Sequence, residues 1–371
     1  MNFHTKHRPL GRTGLSVFPL GFGAMRLPEK DGSIDIDASI NLIRQALANG
    51  VNYIDTAPYY CQGKSEEIVG RAIEGFDRES IIISTKSPDS KDREKWWEHL
   101  HNSLKSLKTD YIDIYHFWGI KGRNYRDDIA PPGLYDEALK AKEEGLIRHI
   151  AFSFHDLPSE IVPIIDSCLF DVMTVQYSII DRSLETAISR AVRQGMGVVI
   201  MGPLAGGRLT QSSQMIDMLA KSPSERASIG LRFVLSNQYV SVAISGMSDE
   251  GMLMENIETV RELAPLTDDE KMQIDRMLSE REKRQEIGCT DCRYCYPCPQ
   301  NVNIPFVLQS LEAGLTWELW DYARGRIKFL GTKPEWGVDM TACNECGECE
   351  EKCPQSITIV EFMKVAKERL G

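Results

Sequence analysis

Eight cysteines near the C-terminus lie in two short segments whose spacing suits inorganic chemistry. The first segment, CTDCRYCYPCP at 289–299, has a cysteine at every third position and ends on proline. The second, CNECGECEEKCP at 343–354, follows the spacing C-x2-C-x2-C-x3-C-P. Three thiolates at x2 spacing wrap a compact turn, so their sulfurs can converge on one metal centre. The other two of the ten cysteines, Cys61 and Cys168, lie apart from both segments and are expected to be ordinary small side chains.

The second spacing is that of bacterial two-cluster proteins, in which the fourth cysteine of a run ligates the cluster of the other run. We therefore predict two [4Fe–4S] clusters. The first would be bound by Cys289, Cys292, Cys295 and Cys353. The second would be bound by Cys343, Cys346, Cys349 and Cys298. Two structural zinc ions are the alternative, because C-x2-C pairs also bind zinc. Evenly stepped cysteines followed by proline favour clusters, although the first run has x2 where the pattern has x3.

The composition and charge of the chain indicate its class, its possible partners and its cellular compartment. Hydrophobic residues make up 42% of the 371 residues and charged residues 26%, which is typical of a soluble globular protein. The net charge of −11 argues against nucleic acid or an anionic membrane as a partner, since both favour a basic surface. The N-terminus has no apolar core resembling a signal peptide. We expect a cytoplasmic protein, where thiols stay reduced and clustered cysteines bind metal.

The first three quarters of the chain alternate short apolar runs with helical patterns. Helix-like segments such as DASINLIRQALANG separate the runs, with apolar residues repeating on one face. Such alternation predicts parallel strands joined by right-handed crossovers, and eight units favour a (β/α)8 TIM barrel. LGRTGLSVFPLG predicts an additional N-terminal hairpin over the barrel floor. The eight expected strands are 20–23, 52–55, 81–86, 111–118, 147–153, 171–178, 197–202 and 240–246.

The alternation stops after the helical pattern at 266–286, where the cysteine-bearing part begins. We place the domain boundary there. The expected domains are a barrel over 1–285 and a small, mainly helical, ferredoxin-like iron–sulfur domain over 286–371.

Three polar residues are expected at the mouth of this barrel, since catalytic groups of a parallel barrel lie at the C-terminal ends of its strands. Asp55 ends the second strand, Lys86 ends the third, and Tyr60 follows in the loop DTAPYYCQG. A lysine ammonium beside tyrosine stabilises phenolate, so the tyrosine hydroxyl can protonate a carbonyl oxygen as hydride arrives. The carboxylate would keep the lysine charged. Individually, these residues could be a helix cap, a rim aromatic and a solvated strand end.

At this point the sequence resembles the aldo-keto reductase family over roughly residues 8–285. YIDTAPYY, ISTK, TDYIDIYHFW, IRHIAFSFHD, VQYS, GPLAGGRL and SGMSDEGMLMEN occur in the family's order and spacing. The whole chain is similar to the subgroup with a C-terminal ferredoxin-like domain. The resemblance implies a TIM barrel with an extended nicotinamide cofactor across its mouth, and it places Asp55, Tyr60 and Lys86 in the family's catalytic tetrad.

The fourth tetrad member departs from the family. Trp118 stands where the resemblance calls for a histidine, and it would line the substrate pocket as a flat apolar wall. His116 lies two residues earlier on the same strand face, about 6–7 Å deeper by strand geometry. His116 is a catalytic candidate as a substitute for the missing histidine, but a satisfied core histidine is the favoured interpretation. His155, after the fifth strand, is a further pocket candidate that could supply a proton.

The resemblance also implies the cofactor contacts. Phe154 replaces the usual asparagine beside the carboxamide ligands, and Met201 replaces the aromatic that stacks on nicotinamide. Met252 occupies the position of an arginine that grips a 2′-phosphate, and Asp249 adds negative charge nearby, so NAD(H) is favoured over NADP(H). The expected cofactor-binding residues are Ser153, Gln176, Met201, Leu204, Gly206, Glu255 and Asn256.

Together these features predict an oxidoreductase that moves hydride between a nicotinamide and a small carbonyl or alcohol substrate. Because hydride carries two electrons and a cluster carries one, a ferredoxin or flavin electron partner is expected if the two exchange electrons. The clusters could instead serve structure alone. Two alternatives stay open at this stage. One is a barrel that binds a ligand and senses redox state without hydride turnover, and the other is a redox-neutral NAD-dependent epimerase.

Overall fold

The computed structural model describes residues 7–88, 91–284, 287–289, 291 and 293–371, which form two compact units. The barrel unit comprises Met1–Gly206 and Ala227–Leu266. The C-terminal unit comprises Gly207–Arg226 and Thr267–Gly371. The boundary expected at residue 285 falls inside the C-terminal unit. That the chain divides there into two independently folding domains stays a prediction.

The barrel unit contains a closed barrel of eight strands, and every neighbouring pair is parallel. Each expected strand is present, with ends that differ by a few residues. Their order around the barrel is the chain order, with β8 pairing β1. The strands are β1 Leu20–Gly23, β2 Tyr53–Asp55, β3 Ile82–Ser87, β4 Ile112–Ile120, β5 Ile147–Phe154, β6 Val172–Gln176, β7 Gly197–Met201 and β8 Val242–Ser245.

Helices follow the strands and pack one apolar face against them. In α1 the Asp35 side chain caps the helix by accepting from the Ala38 N–H at 3.0 Å, and Leu42, Ile43 and Ala46 are buried. Within the described residues, no helix is long and apolar enough to cross a membrane. The helices are α1 Ile36–Ala48, α2 Ser65–Ala72, α3 Arg93–Leu107, α4 Leu134–Glu143, α5 Ile161–Asp166, α6 Glu185–Arg193, α7 Pro223–Ser236, which spans the two units, and α8 Glu250–Glu262.

The N-terminal hairpin closes the barrel floor, as expected. Arg8–Pro9 pairs antiparallel with Ser16–Val17, and Leu10 and Val17 pack into one buried cluster with strand residues such as Tyr53 and Val172. Gly11 is required in this turn. Its φ is +53°, and a β-carbon would overlap the Gly197 backbone nitrogen. The chemistry is thereby left to the opposite end, where the strands finish.

The C-terminal unit is mainly helical and has a hydrophobic core of its own. Leu308, Leu311 and Met363 lie in that core, against which the described clustered cysteines Cys289, Cys295, Cys298, Cys343, Cys349 and Cys353 pack. Segment 207–226 is part of the unit, with the Gln214 N–H donating to Glu318 at 3.0 Å. The helices are α9 Asp268–Arg284, α10 Ile304–Trp317, α11 Trp320–Ile327, α12 Glu348–Glu351 and α13 Ile359–Leu370.

Candidate functional site

Asp55, Lys86 and Tyr60 meet at the C-terminal ends of β2 and β3. The Lys86 Nζ donates to both Asp55 carboxylate oxygens, at 2.9 and 2.8 Å, and to the Thr56 carbonyl at 2.7 Å. Ser84 donates a further hydrogen bond to Asp55 at 2.8 Å. The Tyr60 ring lies with its centroid 4.9 Å from the Lys86 Nζ. Parallel pairing of β2 with β3 puts Asp55 beside Ser84, and this register brings the ion pair together.

Burial controls the charges of this group. It raises the pKa of Tyr60 above its usual 10, while the charge of Lys86 lowers that pKa only part of the way back. Burial lowers the pKa of Lys86, but the charges and hydrogen bonds of Asp55 and Tyr60 outweigh it, so the net direction is upward. Lys86 acts on Tyr60 in the expected direction, yet the net shift of Tyr60 is upward. At neutral pH the arrangement holds a protonated tyrosine next to a charged lysine.

His116 is fully buried on β4, and protein groups hold both its ring nitrogens. Its Nδ1 lies 3.2 Å from the Thr85 carbonyl oxygen, which can only accept, so Nδ1 carries the proton. Nε2 then accepts from the Thr174 hydroxyl at 2.8 Å. Burial and the charge of Lys86 lower the pKa of His116 to about 3. This environment suits the core interpretation favoured from the sequence better than the catalytic candidacy of this histidine.

Trp118 lies beside Tyr60, at a break in the pairing of β4 with β5. Phe117 pairs with Phe152 but Ile120 pairs with Phe154, so β4 contains one more residue than β5 across this interval. This is a β-bulge, a feature that re-aims side chains near active sites. The Trp118 ring meets Tyr60 edge to face with centroids 5.6 Å apart. The expected pocket wall is therefore in contact with the tyrosine.

His155 follows β5 directly and neighbours the same bulge. Its Cδ2 would lie 3.7 Å from a β-carbon placed on Gly119. The side chain is solvent-accessible, yet it sits in a recess where protein atoms remove part of its hydration. That desolvation, with the charges of Lys86 and Lys121, lowers the pKa of His155 from its usual 6.5. At neutral pH the imidazole is uncharged and carries one N–H donor.

The expected carboxamide ligands lie at the ends of adjacent strands. Ser153 is buried on β5, and its hydroxyl accepts from the Gly119 N–H at 2.8 Å. Gln176 ends β6 with an exposed side chain, and Met201 ends β7 half-buried. Phe154, in contrast, is 2% exposed and belongs to the hydrophobic core. Ser153, Gln176 and Met201 therefore lie at the mouth of the barrel. Phe154, which stands in place of the expected asparagine, is part of the hydrophobic core.

The expected nucleotide positions after β7 and β8 differ in accessibility. Leu204 is half-buried, while Gly206 and Glu255 are exposed. Asn256 is buried and donates to the Ser245 hydroxyl at 3.2 Å. Leu204 and Gly206 follow β7, and Glu255 and Asn256 lie on α8, so these four residues extend along the rim from β7 to α8.

Sequence reasoning missed one residue at this rim. Arg26, after β1, donates to the Gly206 carbonyl at 2.8 Å, and its stem covers Gly246. Its position in the turn GFGAMR, just beyond the first strand, was the available signal. Met252 is exposed at the start of α8, and its N–H donates to the capping Asp249 carboxylate at 2.8 Å.

The cysteines border two hollows in the C-terminal unit. The larger, of about 390 Å³ and open to solvent, is lined by Cys295, Cys298, Cys343, Cys346 and Cys349 together with apolar side chains. The smaller, of about 320 Å³, is lined by Cys289, Cys295 and Cys353. Cys298 thus lines the hollow of the second run and Cys353 that of the first, as the crossing rule predicts, while Cys295 lines both, and the pairing of ligands stays a prediction. Cys292 falls outside the described residues.

Both cysteine runs have the same backbone pattern. Left-handed residues flank the second cysteine position of each run: Asp291 and Arg293 in the first, Glu345 and Gly347 in the second. Three residues past the last cysteine, Asn301 and Ser356 are also left-handed, and α10 and α13 begin three residues later. Alternating right- and left-handed residues turn successive N–H groups toward a common centre, as in many iron–sulfur sites. The two runs therefore form a structural repeat.

Comparison with known proteins agrees with both halves of this description. The sequence model of the aldo/keto reductase family matches residues 19–279, and that of a 4Fe-4S dicluster domain matches residues 288–358. The chain belongs to the aldo/keto reductase family. The resemblance and the fold expected from the sequence are confirmed, and the protein is an aldo/keto reductase-type chain with a C-terminal dicluster domain.

Relatives of this aldo/keto reductase chain include named enzymes. L-galactose dehydrogenase of Arabidopsis thaliana is 28% identical over 295 residues, covering 71% of this chain and 91% of its own. NADH-specific methylglyoxal reductase of Escherichia coli is 31% identical over 228 residues, covering 55% and 69% respectively. The solved structure of aldo-keto reductase AKR11C1 from Bacillus halodurans, in its holo form, has a TM-score of 0.63 at 28% identity. It covers 74% of this chain and 96% of that chain.

Proposed function

We propose that the protein transfers hydride between NAD(H) and a small carbonyl or alcohol substrate. The observation that carries this proposal is the buried group of Asp55, Lys86 and Tyr60 at the C-terminal ends of the strands, where barrel enzymes place their chemistry. A protonated phenol next to an ammonium is the acid that carbonyl reduction needs.

The residues of this group divide the proton chemistry among them. Tyr60 holds at its hydroxyl the proton that passes to the substrate oxygen, and the phenolate left behind is stabilised by the adjacent Lys86. Asp55 orients Lys86 and keeps it charged. In the oxidative direction the same hydroxyl oxygen takes the proton back. Bound nicotinamide would supply or accept the hydride.

The rim residues fit such a cofactor, and we propose that they hold it. Ser153 and Gln176 present a hydroxyl and an amide at neighbouring strand ends, suitable for a carboxamide. Gly206 has φ +68° and carries no side chain, so a phosphate can approach its backbone closely. Met252 and the carboxylate of Asp249 at the start of α8 supply no positive charge for a 2′-phosphate, which supports NAD(H) over NADP(H).

We further propose that the two hollows each hold a [4Fe–4S] cluster. Thiols and left-handed turns border them in the repeated pattern described above. The spacing of the two runs, each closing on a proline, favours clusters over zinc. When bound, the clusters would carry single electrons, with a ferredoxin or flavin as the exchange partner. Ligation by eight reduced thiols also supports a cytoplasmic location.

Two measurements test the proposal. Anaerobically purified protein should contain about eight iron and eight sulfide per chain, together with NAD(H)-binding capacity. Turnover should be detected with at least one of L-galactose, methylglyoxal, glyceraldehyde and 4-nitrobenzaldehyde. Tyr60→Phe should lower that turnover by about 10²–10⁴-fold with little change in nucleotide affinity. Wild-type turnover in Tyr60→Phe would overturn the reductase mechanism. No turnover with any of the four compounds would leave the ligand-binding alternative.

A further inference from the structure

The pocket described above has an acid at Tyr60 but needs a second donor to orient a carbonyl oxygen. Strand β4 places two rings near the expected depth. Trp118 packs edge to face with Tyr60, and His116 has its proton on the Thr85 carbonyl and its lone pair on Thr174. The end of the neighbouring strand β5 brings a further donor, His155, to this rim.

The bulge in β4 borders this donor. Gly119 occupies the bulge with φ +63°, a conformation that L-residues with side chains rarely adopt. The imidazole of His155 lies beside this bulge, since a β-carbon on Gly119 would be in van der Waals contact with the His155 Cδ2, at 3.7 Å. The Gly119 N–H is fixed by the Ser153 hydroxyl, so the bulge is tied to β5 just before His155. The two strands are thus joined by hydrogen bonds at the point where His155 leaves the sheet.

The electrostatic environment of His155 keeps its imidazole neutral. It lies close enough to the buried Lys86 for that charge to lower its pKa, and it remains accessible from solvent. It is therefore a neutral imidazole within reach of the catalytic charge, whereas a protonated one would be repelled by Lys86. A neutral imidazole N–H polarises a carbonyl without adding a second cation to the site.

We propose that His155 donates the hydrogen bond that orients the substrate oxygen beside Tyr60. The donor has moved from β4 to the end of β5, and Trp118 has become the pocket wall in its former place. This inference rests on the proposed function and adds a catalytic residue to it. Its physical basis is the one-residue bulge, where Trp118 packs against Tyr60 and the imidazole of His155 lies beside Gly119.

Three variants test this assignment, using whichever of the four compounds gives the fastest wild-type turnover. His155→Leu should lower kcat/KM about 10²-fold, the usual effect of removing one donor to a developing oxyanion. His155→Gln keeps an N–H donor and should stay within about tenfold of wild type. His101→Leu is the matched control, because His101 is an exposed histidine on α3 stacked on Trp97, and its kcat/KM should not change.

The outcomes separate this inference from the function on which it rests. Nucleotide affinity and melting temperature should be unchanged in His155→Leu. Full kcat/KM in His155→Leu, while Tyr60→Phe is inactive, would refute the role of His155 and leave the reductase function intact. Equal losses in the Leu and Gln variants would assign His155 to packing and refute a donor role. Full activity in both His155→Leu and Tyr60→Phe would refute the function itself.

Discussion

Replacing Lys86 with methionine should lower both the stability and the turnover of the protein, and the contacts of Lys86 indicate the size of each effect. The ammonium donates to both oxygens of Asp55 and to the Thr56 carbonyl. The two side chains are only 3% and 7% exposed, so solvent screens their interaction little. Removing one partner of a buried ion pair costs about 3–5 kcal/mol, because the other charge stays buried. At about 2–4 °C per kcal/mol for a barrel of this size, the melting temperature should fall by about 6–20 °C.

Catalysis should be lost by a different route. Burial raises the pKa of Tyr60, and Lys86 is the group that opposes this rise. Without the ammonium, the phenolate formed when Tyr60 gives up its proton has no adjacent positive charge. Turnover per folded molecule should therefore fall about 10²–10⁴-fold, the usual contribution of a positioned acid.

A double variant separates the two effects. Asp55→Asn with Lys86→Met removes both charges while keeping an acceptor for Ser84, so most of the lost stability should return. Activity should stay lost. Thermal unfolding and steady-state turnover on the same anaerobic preparations measure both quantities. Wild-type stability in Lys86→Met, or recovered turnover in the double variant, would show that the ion pair does not have the role assigned to it.

Three further expectations concern the clusters, the nucleotide and acid stability. Cys346→Ala should lower the iron content from about eight to about four atoms per chain. Cys168 is an exposed cysteine outside both runs, so Cys168→Ala should keep the full iron content. Equal iron content in the two variants would contradict the cluster assignment. In calorimetric titrations NAD(H) should bind with a lower dissociation constant than NADP(H). Met252→Arg should reduce the ratio of the two dissociation constants about tenfold. Tighter binding of NADP(H) by the wild type would contradict the expected preference. Because the pKa of His116 is about 3 when folded and about 6.5 when unfolded, the unfolded state binds the extra proton between these values. The free energy of unfolding should fall by about 1.4 kcal/mol per pH unit as the pH drops through this window. His116→Gln should reduce the dependence of the free energy of unfolding on pH, measured by urea titrations at several pH values. An unchanged pH dependence would contradict the linkage to His116.

The barrel could be predicted because its signals are local. Short apolar runs of β-branched residues, alternating with amphipathic helices, leave few other folds for a chain of this length. The expected strand at 171–178 is observed as Val172–Gln176, which is the usual uncertainty of strand ends. Asp55 and Lys86 could be placed together for the same reason, since parallel strands bring their C-terminal ends to one rim.

What the sequence could not show depends on tertiary contacts. The bulge at Trp118 and Gly119 arises from the pairing of β4 with β5, which strand periodicity does not register. The competing interpretations of His116 could be weighed only once Thr85 and Thr174 were seen to hold its ring. Likewise, left-handed Asp291 and Glu345 are not marked by glycine, so the repeat in the cysteine runs is visible only in the backbone.

Electron counting restricts how the two kinds of centre can act together. Hydride transfer moves two electrons and a hydrogen nucleus together from the nicotinamide to carbon, and carbonyl reduction takes one further proton at oxygen. The group of Tyr60, Lys86 and Asp55 is equipped to give that second proton alone. A [4Fe–4S] cluster takes one electron at a time. The acid that the barrel provides is thus complete for carbonyl reduction without any cluster, so cluster loss need not abolish proton transfer at Tyr60. If the clusters do exchange electrons with the nicotinamide, a flavin or ferredoxin-type partner has to divide the pair, since tyrosine, lysine and carboxylate in this arrangement store no single electrons.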